Sequence, residues 1–298
     1  MGPASTFNPR SLDRFFARSS FLERTWNPLG GRGMLGRVRS LGEMVTIAEF
    51  GACCAAWFPI LGAVRVIHRG DPVPRVAGRW FRRLGRTTAT LSPLWDFSVE
   101  GDPPADIRTR PYVVVANHVS IADPFLLSSL PWDMQWVGKE EVFRMPVLGW
   151  LFRLAGDIPV KRGSGESVRA MFDACRHALK GGLSVMLFPE GTRSRDGTMR
   201  VFKDGAFQLA VELGVPVLPI ALAGTERCVR LKNGHGVGLG RARAIARVLE
   251  PIETRGLGSD DVPRVRDLAR DQIEVAVKGL EARVQAAMRK IDEAGGAA

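Results

Sequence analysis

Apolar and polar positions alternate in three different ways along the chain. From 44 to 64 the sequence MVTIAEFGACCAAWFPILGAV is an apolar run with Glu49 its only charge. At about 1.5 Å per residue such a run reaches roughly 30 Å, the thickness of a bilayer's hydrocarbon core. Beyond residue 97, short β-branched runs at 112–116, 135–138, 158–161, 184–188, 217–222 and 244–249 predict strands. Helical patterns at 124–130, 147–155, 166–179 and 206–213 fall between them. Strands that alternate with helices predict an α/β fold built on a mostly parallel twisted sheet flanked by helices. In the tail, 262–291, Ile273, Val277, Leu280, Val284, Met288 and Ile291 step by three or four, so one long helix should lay this stripe on the sheet. The expected organisation is an Arg-rich, loosely ordered arm over 1–43, a membrane-associating helical segment over 44–96, and the α/β domain over 97–298.

The charge balance sharpens the reading of the apolar run. The chain carries 42 Lys+Arg against 31 Asp+Glu, a net charge of +11. Residues 1–86 hold 14 Arg, no Lys and five acids, so +9 of that charge lies at one end. Arg37 and Arg39 precede the apolar run, and Arg65, Arg69 and Arg75 follow it. A single crossing carries its cations mainly on the cytoplasmic side. Flanks that are basic on both sides fit a segment that dips into one leaflet and returns. Pro59 should kink or break a helix there, and Glu49 is costly in lipid unless paired or protonated. The stretch 75–86 mixes Arg with Trp80, Phe81 and Leu84, a composition suited to an interfacial helix on anionic lipid. A true span and a buried soluble helix are the alternatives. Nucleic acid is a further candidate partner for the cations, but the adjacent apolar run makes lipid the better one. No secretory cleavage pattern follows the run.

Composition excludes little more. At 45% hydrophobic and 24% charged residues the chain is globular. Its four cysteines do not make a disulfide scaffold, and none are spaced as CxxC for structural zinc. A reduced, cytoplasm-facing chain follows.

Candidate chemistry sits where expected strands end, the place where open α/β sheets bind ligands. His118 ends one strand, and Asp123-Pro124 lies five residues on. In a continuous helix the two would stand about 140° apart, so they meet only across a turn. A helix start, with Asp as cap and Pro at the first helical position, is the competing reading. A His held by Asp, with no nucleophile beside it, is equipment for a general base. A second strand ends in Phe188-Pro189-Glu190-Gly191-Thr192-Arg193-Ser194, which alone could be a hairpin with a salt bridge. Arg193, an arginine in a turn, is shaped to clamp phosphate; Arg162 (after Gly156-Asp-Ile-Pro-Val-Lys161) ends a third strand, and Lys203 adds a cation near a helix start, where an exposed lysine is ordinarily just solvated. Prolines at both ends of VPVLPI (215–220) predict an edge or bent strand, and the alternating glycines of 234–240 a flexible loop.

Together these segments resemble the glycerolipid acyltransferase family of the H-x4-D type, particularly bacterial 1-acyl-glycerol-3-phosphate acyltransferases. The matching blocks are NHVSIAD at 117–123, GDIPVKR at 156–162, FPEGTRS at 188–194, FKDGAF at 202–207 and VPVLPI at 215–220. Val160-Lys161 departs from the acidic residue that many members carry before the Arg. The resemblance implies transfer of a fatty acyl group from a thioester, acyl-CoA or acyl-carrier protein, to 1-acyl-glycerol-3-phosphate, giving phosphatidic acid. His118 would be the base and Asp123 its orienting partner. Glu190, Gly191, Thr192, Arg193, Arg162 and Lys203 would bind substrate. It implies no metal, no cofactor beyond the thioester co-substrate, and a membrane-associated enzyme on the cytoplasmic face, monotopic or single-pass. Another acceptor (a lyso-aminolipid, another lysophospholipid or glycerol 3-phosphate) and a non-catalytic membrane-surface binder remain as alternatives.

Overall fold

The computed structural model describes residues 40–194, 198–231 and 237–296. Most of the expected arm over 1–43 therefore lies outside the described residues. The first element, α1 (Leu41–Ile67), is capped by Ser40, whose hydroxyl accepts from the Glu43 backbone N–H at 3.2 Å. It runs unbroken through Pro59, so the expected break does not occur. α2 (Arg75–Leu91) returns antiparallel to it. Trp57 Nε1 donates to the Trp80 carbonyl at 2.9 Å, and the hydroxyls of Thr46 and Ser92 lie 3.0 Å apart. Both carboxyl oxygens of Glu49 are shielded from solvent with no hydrogen-bond partner among the described residues, and burial raises its pKa.

The remaining elements are β1 (Trp95–Glu100), β2 (Val113–Ala116), α3 (Asp123–Leu127), β3 (Met134–Lys139), α4 (Glu140–Phe143), α5 (Leu148–Ala155), β4 (Ile158–Val160), α6 (Gly165–Lys180), β5 (Ser184–Leu187), α7 (Gly205–Leu213), β6 (Val217–Ala223), β7 (Val229–Leu231), β8 (Val237–Leu239), β9 (Ala242–Val248) and α8 (Val262–Gly296). Seven strands form one sheet in the order β1-β9-β6-β2-β5-β3-β4. All neighbours are parallel except β6 and β9. β1 and α4 were not expected from the sequence. β8 lies within 234–240, where a loop was expected, and pairs antiparallel with β7; 232–236 lies outside the described residues.

Alternation along β2 explains how both faces of the sheet are covered. Val113 and Val115 face α6, α7 and α8, whose Phe172, Phe207, Ile273 and Leu280 complete one core. Val114 and Ala116 face the other way, onto Leu126, Trp132 and Met186. Every residue of β2, β5 and β6 is buried, as expected for strands covered on both sides. This corrects the edge-strand reading of VPVLPI, because β6 is an interior strand. Pro219 is tolerated because pairing with β9 begins only at Ile220, and its carbonyl still accepts from Leu249 N at 3.0 Å.

The α1–α2 pair is bolted onto this sheet by the arginines expected to face lipid. Arg82 is buried, pairs with both oxygens of buried Asp157, and lies over the Trp136 ring at 3.9 Å. Arg79 Nε donates to Asp133 at 2.9 Å and Arg75 to the Gly182 carbonyl at 2.8 Å. Three cations of the stretch therefore serve docking onto the protein. A buried pair of this kind is left with an uncompensated charge if either partner is removed.

Candidate active site

β2 is flanked by β5 and β6, and the loops that leave the carboxyl ends of these strands build the site. After Ala116, Asn117 turns inward and locks the two ends together: its Nδ2 donates to the Leu222 carbonyl at 2.9 Å and its Oδ1 accepts from Leu222 N at 2.8 Å. The chain then turns, and Asp123 opens α3 with its side chain folded back. Asp123 Oδ2 accepts from the backbone N–H groups of Val119 and Ser120, both at 3.0 Å, and lies 2.7 Å from His118 Nδ1. Its Oδ1 accepts from the Thr225 hydroxyl. Asp123 is fully buried, and its carboxylate serves the turn and the imidazole, not the helix N-terminus. The helix-cap reading is thereby corrected.

This arrangement fixes the tautomer. An oxygen that already accepts from two backbone N–H groups has no proton to give, so Nδ1 is the donor. The lone pair is left on Nε2, on a side chain that keeps 15% of its surface exposed. The Phe188 ring stacks on the imidazole with centroids 4.0 Å apart and planes inclined by 19°, which fixes its plane. The result is an imidazole held in one orientation, with Nε2 as the ring nitrogen able to accept a proton.

The loop after β5 is joined to the same histidine by its main chain. Glu190 is buried, with Oε1 accepting from His118 N at 2.7 Å and Oε2 from Arg200 N at 3.0 Å. Ser194 N donates to the His118 carbonyl at 2.9 Å. The hairpin with an internal Glu190–Arg193 salt bridge is therefore not what forms. Burial pushes the Glu190 carboxyl up to about 7, opposed by the two backbone N–H groups and assisted by nearby Asp123.

The cations converge beside this loop. Gly191 has φ +69, so glycine is required by the turn, and Lys203 lies over it, its Nζ 2.9 Å from where a Cβ would stand. Burial, then the neighbouring charges of Arg162 and Arg200, lowers Lys203 to about 8. Half-buried Arg162 is pushed down by burial and by Arg193, against the favourable charge of Glu141. Thr192 is half-buried in the same turn. Every site residue expected from the sequence thus lies in one of these two linked loops or in the cation group. Sequence reasoning missed Thr225, Asn117, Phe188 as the ring beneath the imidazole, and Arg200 and Glu141 among the charges. Thr225 was findable in principle: like His118 and Glu190, it is a polar residue just past the end of an interior strand.

The chain is similar to several known proteins. Residues 98–223 match a family model described as Acyltransferase. Over 181 residues the chain is 34% identical to the chloroplastic 1-acyl-sn-glycerol-3-phosphate acyltransferase BAT2 of Brassica napus, covering 59% of this chain and 53% of that one. It is 35% identical over 179 residues to the alpha form of 1-acyl-sn-glycerol-3-phosphate acyltransferase from Mus musculus, covering 58% and 62%. The matched stretch thus spans between half and two thirds of these relatives. The crystal structure of the 1-acyl-sn-glycerophosphate acyltransferase PlsC from Thermotoga maritima shares the fold, with a TM-score of 0.62 over 80% of this chain and 95% of that one, at 24% identity.

Proposed function

We propose, from the match of residues 98–223 to a family model described as Acyltransferase, that the protein acylates 1-acyl-glycerol-3-phosphate to phosphatidic acid, drawing the acyl group from acyl-CoA or acyl-carrier protein. The observation that carries this reading is the His118–Asp123 pair, 2.7 Å apart and braced by Val119, Ser120 and Thr225, beside a group of cations. Nε2 of His118 takes the proton of the acceptor's free hydroxyl as its oxygen attacks the thioester carbonyl. The tetrahedral intermediate collapses, the C–S bond breaks, and the imidazolium returns the proton to the departing sulfur. Asp123 stabilises that imidazolium while keeping the ring in place. No acyl-enzyme forms.

Arg193, Arg162 and Lys203 hold the acceptor's phosphate. Cations whose charges oppose one another gain most when a dianion enters among them, which fits Lys203 and Arg162, both pushed down by burial and like charge. The α1–α2 pair keeps the enzyme on the cytoplasmic face of a membrane, monotopic, where the acceptor resides. α1 is long and apolar enough to cross, but only 17% of its most apolar window is buried against protein.

The test is an assay of the purified protein in mixed micelles against lysophosphatidate, glycerol 3-phosphate, lyso-aminolipids and uncharged lysolipids, with both thioester donors. Phosphatidic acid should form fastest. Turnover of a non-phosphorylated acceptor at an equal or higher kcat/KM overturns the acceptor assignment.

A further inference from the structure

We propose that the turn at 146–150, between α4 and α5, is a second point of entry into an anionic lipid leaflet, separate from α1 in sequence and continuous with it in space. Val147 is the only non-glycine with positive φ among the described residues, at φ 61 and ψ −64. Leu148 N donates back to the Pro146 carbonyl at 2.7 Å, closing a tight three-residue turn of the strained hand. That backbone is strongly disfavoured for a β-branched residue and persists only where its surroundings impose it. Yet the Val147 side chain is 40% exposed, so packing of that side chain in the protein interior does not account for it.

The surroundings clamp one face of the turn and push the other outward. Gly149 sits so close to α4 that a Cβ would fall 2.3 Å from the Phe143 carbonyl oxygen. Leu151 is fully buried, and the Phe152 ring packs on Phe81 of α2 at 4.8 Å. On the opposite side Trp150 is 51% exposed, and its ring meets Phe58 of α1 at 5.8 Å. Val147, Trp150 and Phe58 therefore extend the uncovered apolar face of α1 onto the sheet domain. Cations flank this surface: Arg65 and exposed Arg69 at the end of α1, exposed Arg153 on α5, and Arg144, which is held by Glu140 at 3.0 Å. An apolar surface edged by arginines, with a Trp among its exposed side chains, matches the chemistry of an anionic leaflet.

The inference rests on reading the α1–α2 pair as membrane-associating, and the experiment separates the two. The full chain is floated with vesicles of phosphatidylcholine and phosphatidylglycerol, as wild type, Trp150→Asp and Trp150→Phe, each checked for unchanged melting. We expect Trp150→Asp to partition about 10-fold more weakly, the scale of withdrawing one large apolar side chain from lipid. Trp150→Phe should bind like wild type but lose part of the fluorescence quenching by brominated lipid. Wild-type flotation with undiminished Trp150→Asp binding, or unchanged quenching in Trp150→Phe, overturns the second contact alone. A wild type that does not float overturns both readings. A shift from dimer to monomer in Trp150→Asp, with vesicle binding unaltered, assigns the surface to a second copy of the chain and likewise overturns the proposal.

Discussion

The loops after β2 and β5 are each braced by one buried carboxylate, and the two carboxylates are placed in opposite ways. Asp123 satisfies groups of its own turn, Val119 and Ser120, and adds the imidazole ring and Thr225. Glu190 reaches outward, to the main chain of His118 and to that of Arg200. One carboxylate orients the ring; the other sets where the backbone that carries the ring sits relative to the cations. A short local turn, steadied by Thr225, can therefore hold an imidazole in one tautomer. On the proposed function, coupling that base to the cations that would hold the acceptor's phosphate falls to the longer reach of Glu190. We read this as a division of labour, with chemistry in the first loop and grip on the acceptor in the second.

The division can be broken most severely in the first loop. His118→Ala removes the base, and turnover should fall by about 10³-fold in a radiolabelled acyl-transfer assay, within the range for loss of a general base. Arg193→Ala leaves that loop intact, so the KM for lysophosphatidate should rise about 10- to 100-fold with a smaller change in kcat, the scale of one charge-assisted hydrogen bond. Glu190→Gln presents an N–H₂ group to one of two backbone N–H groups and breaks a single anchor. A drop in kcat of about 10-fold is expected, with a lowered melting temperature, since one buried donor is left unpaired. Lys203, lowered to about 8, loses its charge as pH rises through that value. The KM for lysophosphatidate should therefore climb a few-fold between pH 7 and 9. Lys203→Arg, charged throughout, should flatten that limb.

Much of this was legible in the sequence, and the rest was hidden for definite reasons. The six strands read from β-branched runs and the stripe on α8 come from burial on fixed periods, which a linear pattern records. β1 left a signal that was not used: Trp95, Phe97 and Val99 alternate with Asp96, Ser98 and Glu100, the pattern of a half-buried strand, over only six residues. The prolines of VPVLPI gave the wrong strand position because edge strands are not the only place that tolerates a missing donor. An interior strand does so where its neighbour's pairing has not yet begun. Within the Arg-rich 75–86 stretch, Arg79 and Arg82 were read as lipid-facing because composition cannot say that Asp133 and Asp157 lie opposite them. The same limit applies at the site. Spacing put His118 and Asp123 within reach of each other across a turn, whereas Thr225 and Arg200 join only through the sheet order.

The division of labour is tested most directly by equilibrium binding of lysophosphatidate to His118→Ala. Affinity within about twofold of wild type, in a protein that has lost turnover, is the expected result, because the cations are untouched. Affinity that collapses in parallel with turnover would mean that His118 holds the acceptor or the loop, and that base and grip are not separate.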